Sequence, residues 1–132
     1  MTEVPASPKD LVSRYIYSTN DFSSNGVKHS AFVPSKTYPN ELSVCIRTTL
    51  SESEIWRIGM ESARQDKSIK WRADLLVSDV QEISDEQEGF LQVLIDGIPH
   101  QYHANIKNLP TQKSLQRAVA TELSNKSKLV VP

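Results

Sequence analysis

Two short stretches of this chain carry polar side chains whose types and spacing suit chemistry. Arg72 and Asp74 lie two apart within Trp71–Val80, and His103 and Asn105 lie two apart within Tyr102–Ile106. Residues two apart in a strand point to the same side, so each pair would share a face. Lys28 and Ser30 repeat the spacing within Val27–Val33. If the three strands are neighbours, this face is a cleft of mixed donors and acceptors suited to a phosphate, a nucleotide or an RNA end. Arg72 would present a planar fork to phosphate oxygens, Lys28 a point charge and Asn105 an amide. His103 would serve as general acid or base near neutral pH, with Asp74 orienting it. His103 and Asp74 are then the catalytic candidates, and Lys28, Arg72 and Asn105 the ligand-binding ones. The plainer reading is that an antiparallel sheet usually has one wet face, on which an Arg–Asp pair is worth little.

Other chemistry is less well supported. His100 and His103 are three apart, and Asp96 or Asp74 would extend them on paper, but a metal site usually needs three or four well-placed ligands. His29 falls on the apolar side of its segment. With no paired cysteines and no HExxH pattern, no metal site and no cofactor are expected. Cys45 sits between Val44 and Ile46 and reads as a packed thiol. Ser23 and Ser43 lack a nucleophile-elbow context, and the four glycines are isolated, so no phosphate-cradling loop is present. Lys107, Lys113 and Arg117, followed by Lys126 and Lys128, give the C-terminal part a basic cast opposed by Glu122. Lys113 and Arg117 would share a helix face. With Tyr102 nearby, a nucleic-acid strand could track there, although a solvated helix face explains the same residues.

The chain has 132 residues, 38% hydrophobic and 23% charged, which suits one soluble domain with a real core. A net charge of -1 argues against a general nucleic-acid coat. The longest apolar runs are too short to span a bilayer. Met1–Asp10 is polar and carries Pro5 and Pro8, so it reads as a flexible leader without a signal-peptide core. A cytoplasmic location is the expectation.

Positioning these residues falls to strands and two helices. Leu50–Ala63 is the firmest helix: Ser51 and Glu54 have capping-box spacing, and Leu50 and Ile55 have staple spacing. Ile55, Ile58 and Ala63 form its apolar stripe, with Trp56 at the core edge and Glu61 and Arg64 off it. Strands are expected at Leu11–Tyr17, Val27–Val33, Leu42–Thr48, Trp71–Val80, Phe90–Ile95 and Tyr102–Ile106. Asp66–Ser68 would break the helix, and Ser84–Gly89, with Asp85, Glu86 and Glu88, would be an acidic turn. Thr111 would cap a last helix with the stripe Leu115, Ala118, Val119 and Leu123, and Asn125–Pro132 would fray. The order predicts a single α+β domain over residues 11–132. Its core would be a twisted, mostly antiparallel sheet of about six strands, with two helices packed on one face.

Several segments carry a resemblance: Asp21-Phe22-Ser23, Ala31-Phe32-Val33-Pro34, Glu54-Ile55-Trp56-Arg57-Ile58-Gly59, Arg72-Ala73-Asp74-Leu75 and His103-Ala104-Asn105-Ile106. Together the chain resembles a group of small uncharacterised bacterial cytosolic proteins, over most of Arg14 to Leu123. The resemblance implies a bacterial or phage-linked cytosolic origin and no particular activity. Three functions follow from the residues. The first is an accessory module docking a partner protein or a second copy of itself, through sheet edges and Trp56. The second is a phosphate-, nucleotide- or RNA-handling enzyme or sensor using the polar sheet face. The third is nucleic-acid binding along the basic C-terminal helix. Whether the protein is an enzyme stays open at this point.

Overall fold

The structure, a computed structural model, describes residues 3–63, 68–87 and 89–132. Arg64, expected off the helix stripe, Asp66, expected in the break, and Glu88, expected in the acidic turn, lie outside the described residues. The strands are β1 (Val4–Pro5), β2 (Leu11–Ile16), β3 (Phe22–Ser23), β4 (Gly26–Val27), β5 (Leu42–Ile46), β6 (Trp71–Leu76), β7 (Gln92–Ile95), β8 (His103–Lys107) and β9 (Lys128–Val130). The helices are α1 (Glu52–Ser62), α2 (Val77–Glu86) and α3 (Lys113–Lys126), with tight helical turns at Thr19–Asp21 and His29–Phe32. Seven strands form one antiparallel sheet in the order β1-β7-β8-β5-β2-β6-β9, and β3 and β4 make a separate small ribbon. The expected α+β class is present.

The sheet has a helix layer on each side, not both helices on one. Alternation sends Val12, Ile16, Val44, Ala73, Leu75, Ala104 and Ile106 to one face, where α2 and α3 add Val80, Ile83, Val119 and Leu123. The other residues of the same strands, among them Tyr15 and Cys45, face α1, which adds Ile55 and Ile58. In α1 the Ser51 hydroxyl accepts the Glu54 N–H at 3.2 Å, and the Glu54 carboxylate accepts the Ser51 N–H at 3.1 Å. That box is worth about 1 kcal/mol, whereas full burial of an isoleucine is worth about 1.5–3 kcal/mol. The helix is therefore held mainly by its buried face. Gly59 permits the close seat: a Cβ there would lie 2.5 Å from Tyr15 and from Ile69.

Several elements differ from expectation for identifiable reasons. Trp71–Val80 is a strand only to Leu76; Val77, Val80 and Ile83 then recur at helical spacing and form the buried stripe of α2. The Asp79 carboxylate accepts the Leu76 N–H at 3.3 Å and starts that helix, which runs through Glu86 into the supposed acidic turn. Val27–Val33 is not one strand. Consecutive Ala31 and Phe32 are both buried, which a strand facing one core cannot do but the turn His29–Phe32 can. Val4–Pro5, inside the expected leader, pairs with Leu94 and Ile95, and Ala6 is buried. Lys128–Val130, inside the expected frayed end, pairs with β6. Gln112, not Thr111, caps α3 through its side chain, and Leu115 lies outside the buried stripe at 51% exposure.

One ionic contact ties α1 to the sheet. Arg72 is 1% exposed and grips two carboxylates. Its Nε lies 3.0 Å from Asp74 Oδ1, its Nη1 2.8 Å from Glu52 Oε2, and its Nη2 3.0 Å from both Glu52 Oε1 and Asp74 Oδ2. Trp56 of α1 covers the guanidinium, 4.8 Å from ring centroid to Cζ. Asp74 is 11% exposed and Glu52 61%, so the two carboxylates are not equivalent. Arg72→Met leaves the buried Asp74 with the Ser13 hydroxyl and the longer Arg47 contact at 3.5 Å, and is expected to cost about 3 kcal/mol. Glu52→Gln, at the wet end, is expected to cost under about 1 kcal/mol. Urea unfolding of both variants measures the contrast.

Candidate functional site

The sheet register decides which of the candidate residues meet. Arg72, Asp74, His103 and Asn105 do share one face, as their spacing predicts. Yet His103 pairs with Cys45, Cys45 with Ser13, and Ser13 with Asp74. Three strand spacings, roughly 14 Å, therefore separate the imidazole's strand position from that of Asp74. Asp74 does not orient His103; it accepts the Ser13 hydroxyl at 2.5 Å and holds Arg72. Arg72 is spent on its two carboxylates, which raise its pKa against the lowering effect of burial. It offers no open fork to a ligand. Lys28 is exposed on the loop entering the turn His29–Phe32, away from both groups. The single cleft built from Lys28, Arg72 and His103 is not present.

What the structure does assemble is a site around His103 and Asn105. β7 and β8 form a hairpin whose last pair is Ile95 with Ala104. The next residues, Asp96 and His103, therefore come opposite each other, and Gly97 takes φ +67° to turn the chain away. His103 Nδ1 lies 2.6 Å from Asp96 Oδ1, and Asn105 Nδ2 donates to Asp96 Oδ2 at 3.0 Å. Burial alone would raise the pKa of Asp96, but bonds from His103, the Ile98 N–H and Asn105 hold it below the ordinary carboxylate value. A neutral His103 with Nδ1 facing a carboxylate carries its proton there, and Nε2 remains the acceptor. His100 shows the opposite tautomer: its Nδ1 accepts the Tyr102 N–H at 3.2 Å, so its proton sits on Nε2. The two rings meet edge to face with centroids 5.7 Å apart.

A cation completes the site, and it is Arg14. β2 and β5 keep only two ladder pairs, Val12 with Ile46 and Ser13 with Cys45. Beyond them the strands part, and Arg14 fills the gap. Its Nε donates to the Ala31 carbonyl at 2.8 Å and its Nη1 to the Ser43 carbonyl at 2.8 Å. No carboxylate lies within salt-bridge distance of it among the described residues. Burial lowers its pKa, with Asp21 and Tyr17 opposing. Arg14, His103, Asp96, Asn105, Glu41 and Tyr38 line a cavity of about 330 Å³, a volume typical of small-ligand sites. A wider cleft of about 500 Å³ lies beside Arg72 and Arg47, but those cations face Glu52 and Asp74.

The remaining candidates are placed elsewhere. Lys107 is paired with Glu41 at 2.8 Å and Glu3 at 3.4 Å. It continues the His103–Asn105 side of β8, whereas α3, with Lys113 and Arg117 exposed, packs on the other face. The three do not form one basic strip. Cys45 is buried, and burial raises its pKa against Tyr15 and Arg47. Among the described residues no three His, Cys, Asp or Glu side chains are placed to hold a metal ion, and no helix is long and apolar enough to cross a membrane. Asp96 was legible in principle, since pairing the two hairpin strands places it opposite His103. Arg14 left no such signal, because its role depends on two strands parting.

Comparison of the chain with protein-family models, with curated proteins and with solved structures finds no match. The functional reading therefore rests on the site itself.

Acid stability follows from these contacts. Burial and His103 lower the His100 pKa, so the unfolded chain binds the extra proton, and this contribution falls away as pH drops below about 6.5. Asp96 and Glu52 are also lowered, Glu52 chiefly by its Arg72 hydrogen bonds. Their contribution is complete above about pH 4 and lost as pH falls through the folded values. Urea unfolding across pH is expected to show both windows. His100→Gln should remove the upper one and Asp96→Asn should shrink the lower to the Glu52 share.

Proposed function

We propose that the protein binds a small anionic ligand, bearing a phosphate or a carboxylate, in the cavity between Arg14 and the Asp96–His103–Asn105 cluster. The observation that carries this reading is Arg14 itself, a half-buried guanidinium on a polar cavity wall with carbonyl partners but, among the described residues, no carboxylate within salt-bridge distance, Asp21 acting on it from further away. Placing an arginine in a partly dry site costs desolvation that two carbonyl bonds only partly offset. An anion accepting from its remaining N–H groups completes the arrangement through charge-assisted bonds. Lys107 neutralises Glu41, and hydrogen bonds occupy Asp96, so neither carboxylate opposes the ligand alone.

A second reading, docking of a partner protein, is favoured by a different surface. Phe90, 81% exposed, and Leu115, 51% exposed, flank a groove of about 250 Å³ that is also lined by Leu91, Pro110 and Val119. Clustered exposed apolar side chains of this size mark interaction sites. Trp56 and the sheet edges suit that role less well. Trp56 is half-buried over Arg72, and the edge strands β1 and β9 are short, one carrying Pro5 and the other Lys128.

Titrating the protein with inorganic phosphate and with acetate, followed by calorimetry and backbone amide NMR shifts, tests the first reading. One of the anions is expected to bind and to move the amides of residues 14, 43 and 103 together. Arg14→Gln should weaken that binding about tenfold to a hundredfold, since a charge-assisted bond is worth about 1.5–3 kcal/mol. Shifts elsewhere, or no binding of either anion, would overturn it.

A further inference from the structure

We propose that this site is hydrolytic, and that His103 activates a water held in a second, smaller compartment to cleave a phosphodiester held in the larger one. The inference rests on the anion-binding reading above and adds the reaction. A cavity of about 80 Å³ adjoins the larger one and shares Arg14, Ser43 and His103 with it. Its remaining wall includes Tyr15, Tyr17 and His100. That volume has room for ordered water. A water there has the two to four polar neighbours that ordered water needs. The Tyr15 and Tyr17 hydroxyls donate to the Ile55 and Gly59 carbonyls, which leaves their oxygens as acceptors.

The two histidines arrive with complementary protons. Asp96 fixes the His103 proton on Nδ1, so Nε2 can take a proton, and the Tyr102 N–H fixes the His100 proton on Nε2, so that atom can give a hydrogen bond. A water beside the two rings, within reach of both Nε2 atoms, would accept from His100 and donate to His103. General-base removal of its proton makes the oxygen nucleophilic. The water oxygen then bonds to phosphorus while the phosphorus–oxygen bond to the leaving group breaks. The leaving group departs on the far side of phosphorus from the attacking water, so it leaves as the oxyanion and takes its proton from solvent, and His103 Nε2 returns its proton to solvent. No oxidation state changes, and water is the co-reactant consumed. Arg14, which lines both compartments, lies where negative charge grows on the phosphoryl oxygens.

Charge selects the diester. With His103 neutral, Arg14 and Lys107 face Glu41, Glu3 and Asp96, so the surroundings carry no excess positive charge to match a phosphomonoester dianion. A diester, with one negative charge instead of two, meets less repulsion from these carboxylates. Cys45 lies on the small compartment too, but its thiol points its bond at the Ile46 carbonyl at 3.8 Å, and burial raises its pKa. Water is the better nucleophile here.

The test pairs turnover with binding on the intact chain. Bis(p-nitrophenyl) phosphate is the substrate probe, and dimethyl phosphate, followed by amide NMR, is the binding probe. Wild type is expected to release p-nitrophenol. His103→Gln should lower kcat about 10²–10⁴-fold and weaken dimethyl phosphate binding by far less, a split that a merely misfolded variant would not show. His100→Gln is expected to lower the rate less. Dimethyl phosphate binding without any turnover would sink the hydrolytic inference and leave the anion site standing. Turnover unchanged in His103→Gln would also sink it, and absence of both binding and turnover would remove both.

Discussion

The grip of Arg72 on Asp74 and Glu52 is the contact on which the rest of the architecture depends. One guanidinium, almost wholly out of water, joins β6 to the first turn of α1 and takes Trp56 as its cover. Such a cation is held chiefly by the buried Asp74, with the wetter Glu52 adding less. Its consequence is geometric. With its first turn anchored there, α1 lies along the polar side of the sheet, and its far end reaches Tyr15 and Tyr17 through the Ile55 and Gly59 carbonyls. Those tyrosines, with Ser62, wall the small compartment beside His103. A residue with the chemistry of a phosphate ligand thus works as the hinge-pin of the scaffold, at a distance from the site it shapes.

How much of this was legible in the sequence depends on how local each feature is. The α1 cap was readable because the capping box closes within four residues. The shared face of Arg72 and Asp74, and of His103 and Asn105, was readable because strand alternation is local. Their separation was not. It follows from strand order, with β5 and β2 lying between β8 and β6, and strand order is set by long-range pairing. The end of β6 at Leu76 shows a milder failure. The alternation from Trp71 runs on into Val77, while Val77, Val80 and Ile83 simultaneously satisfy a helix, so two periods overlap and only packing chooses between them. Lys28 failed because an alternating pattern over Val27–Val33 disguised a tight turn with Ala31 and Phe32 side by side.

Arg14 illustrates the deeper limit. By sequence it is one strand residue among several, flanked by Ser13 and Tyr15. Its meaning comes from what β2 and β5 fail to do. Had the ladder continued past Ser13 and Cys45, the Ser43 carbonyl could have stayed within the sheet's own pairing; instead it and the Ala31 carbonyl accept from the guanidinium. The gap that needs Arg14 is also the gap that opens the cavity. The same local break in hydrogen bonding therefore supplies both the room for a ligand and the charge to hold it.

The polar side of the sheet consequently divides into two halves with opposite electrostatic character. On the β6 side the opposite charges close on each other: Arg72 and Arg47 face Asp74 and Glu52, and among the described residues Arg47 Nε alone is buried there without a partner. On the β8 side the charges are held apart by neutral partners. Asp96 is occupied by an imidazole and an amide, Arg14 by carbonyls, and Glu41 by Lys107. Charges that meet each other stabilise a fold, whereas charges kept apart across a cavity keep their capacity to act on something else. That contrast is why we propose the ligand site on the His103 side, while the Arg72 side, chemically richer in the sequence, ties α1 to the sheet.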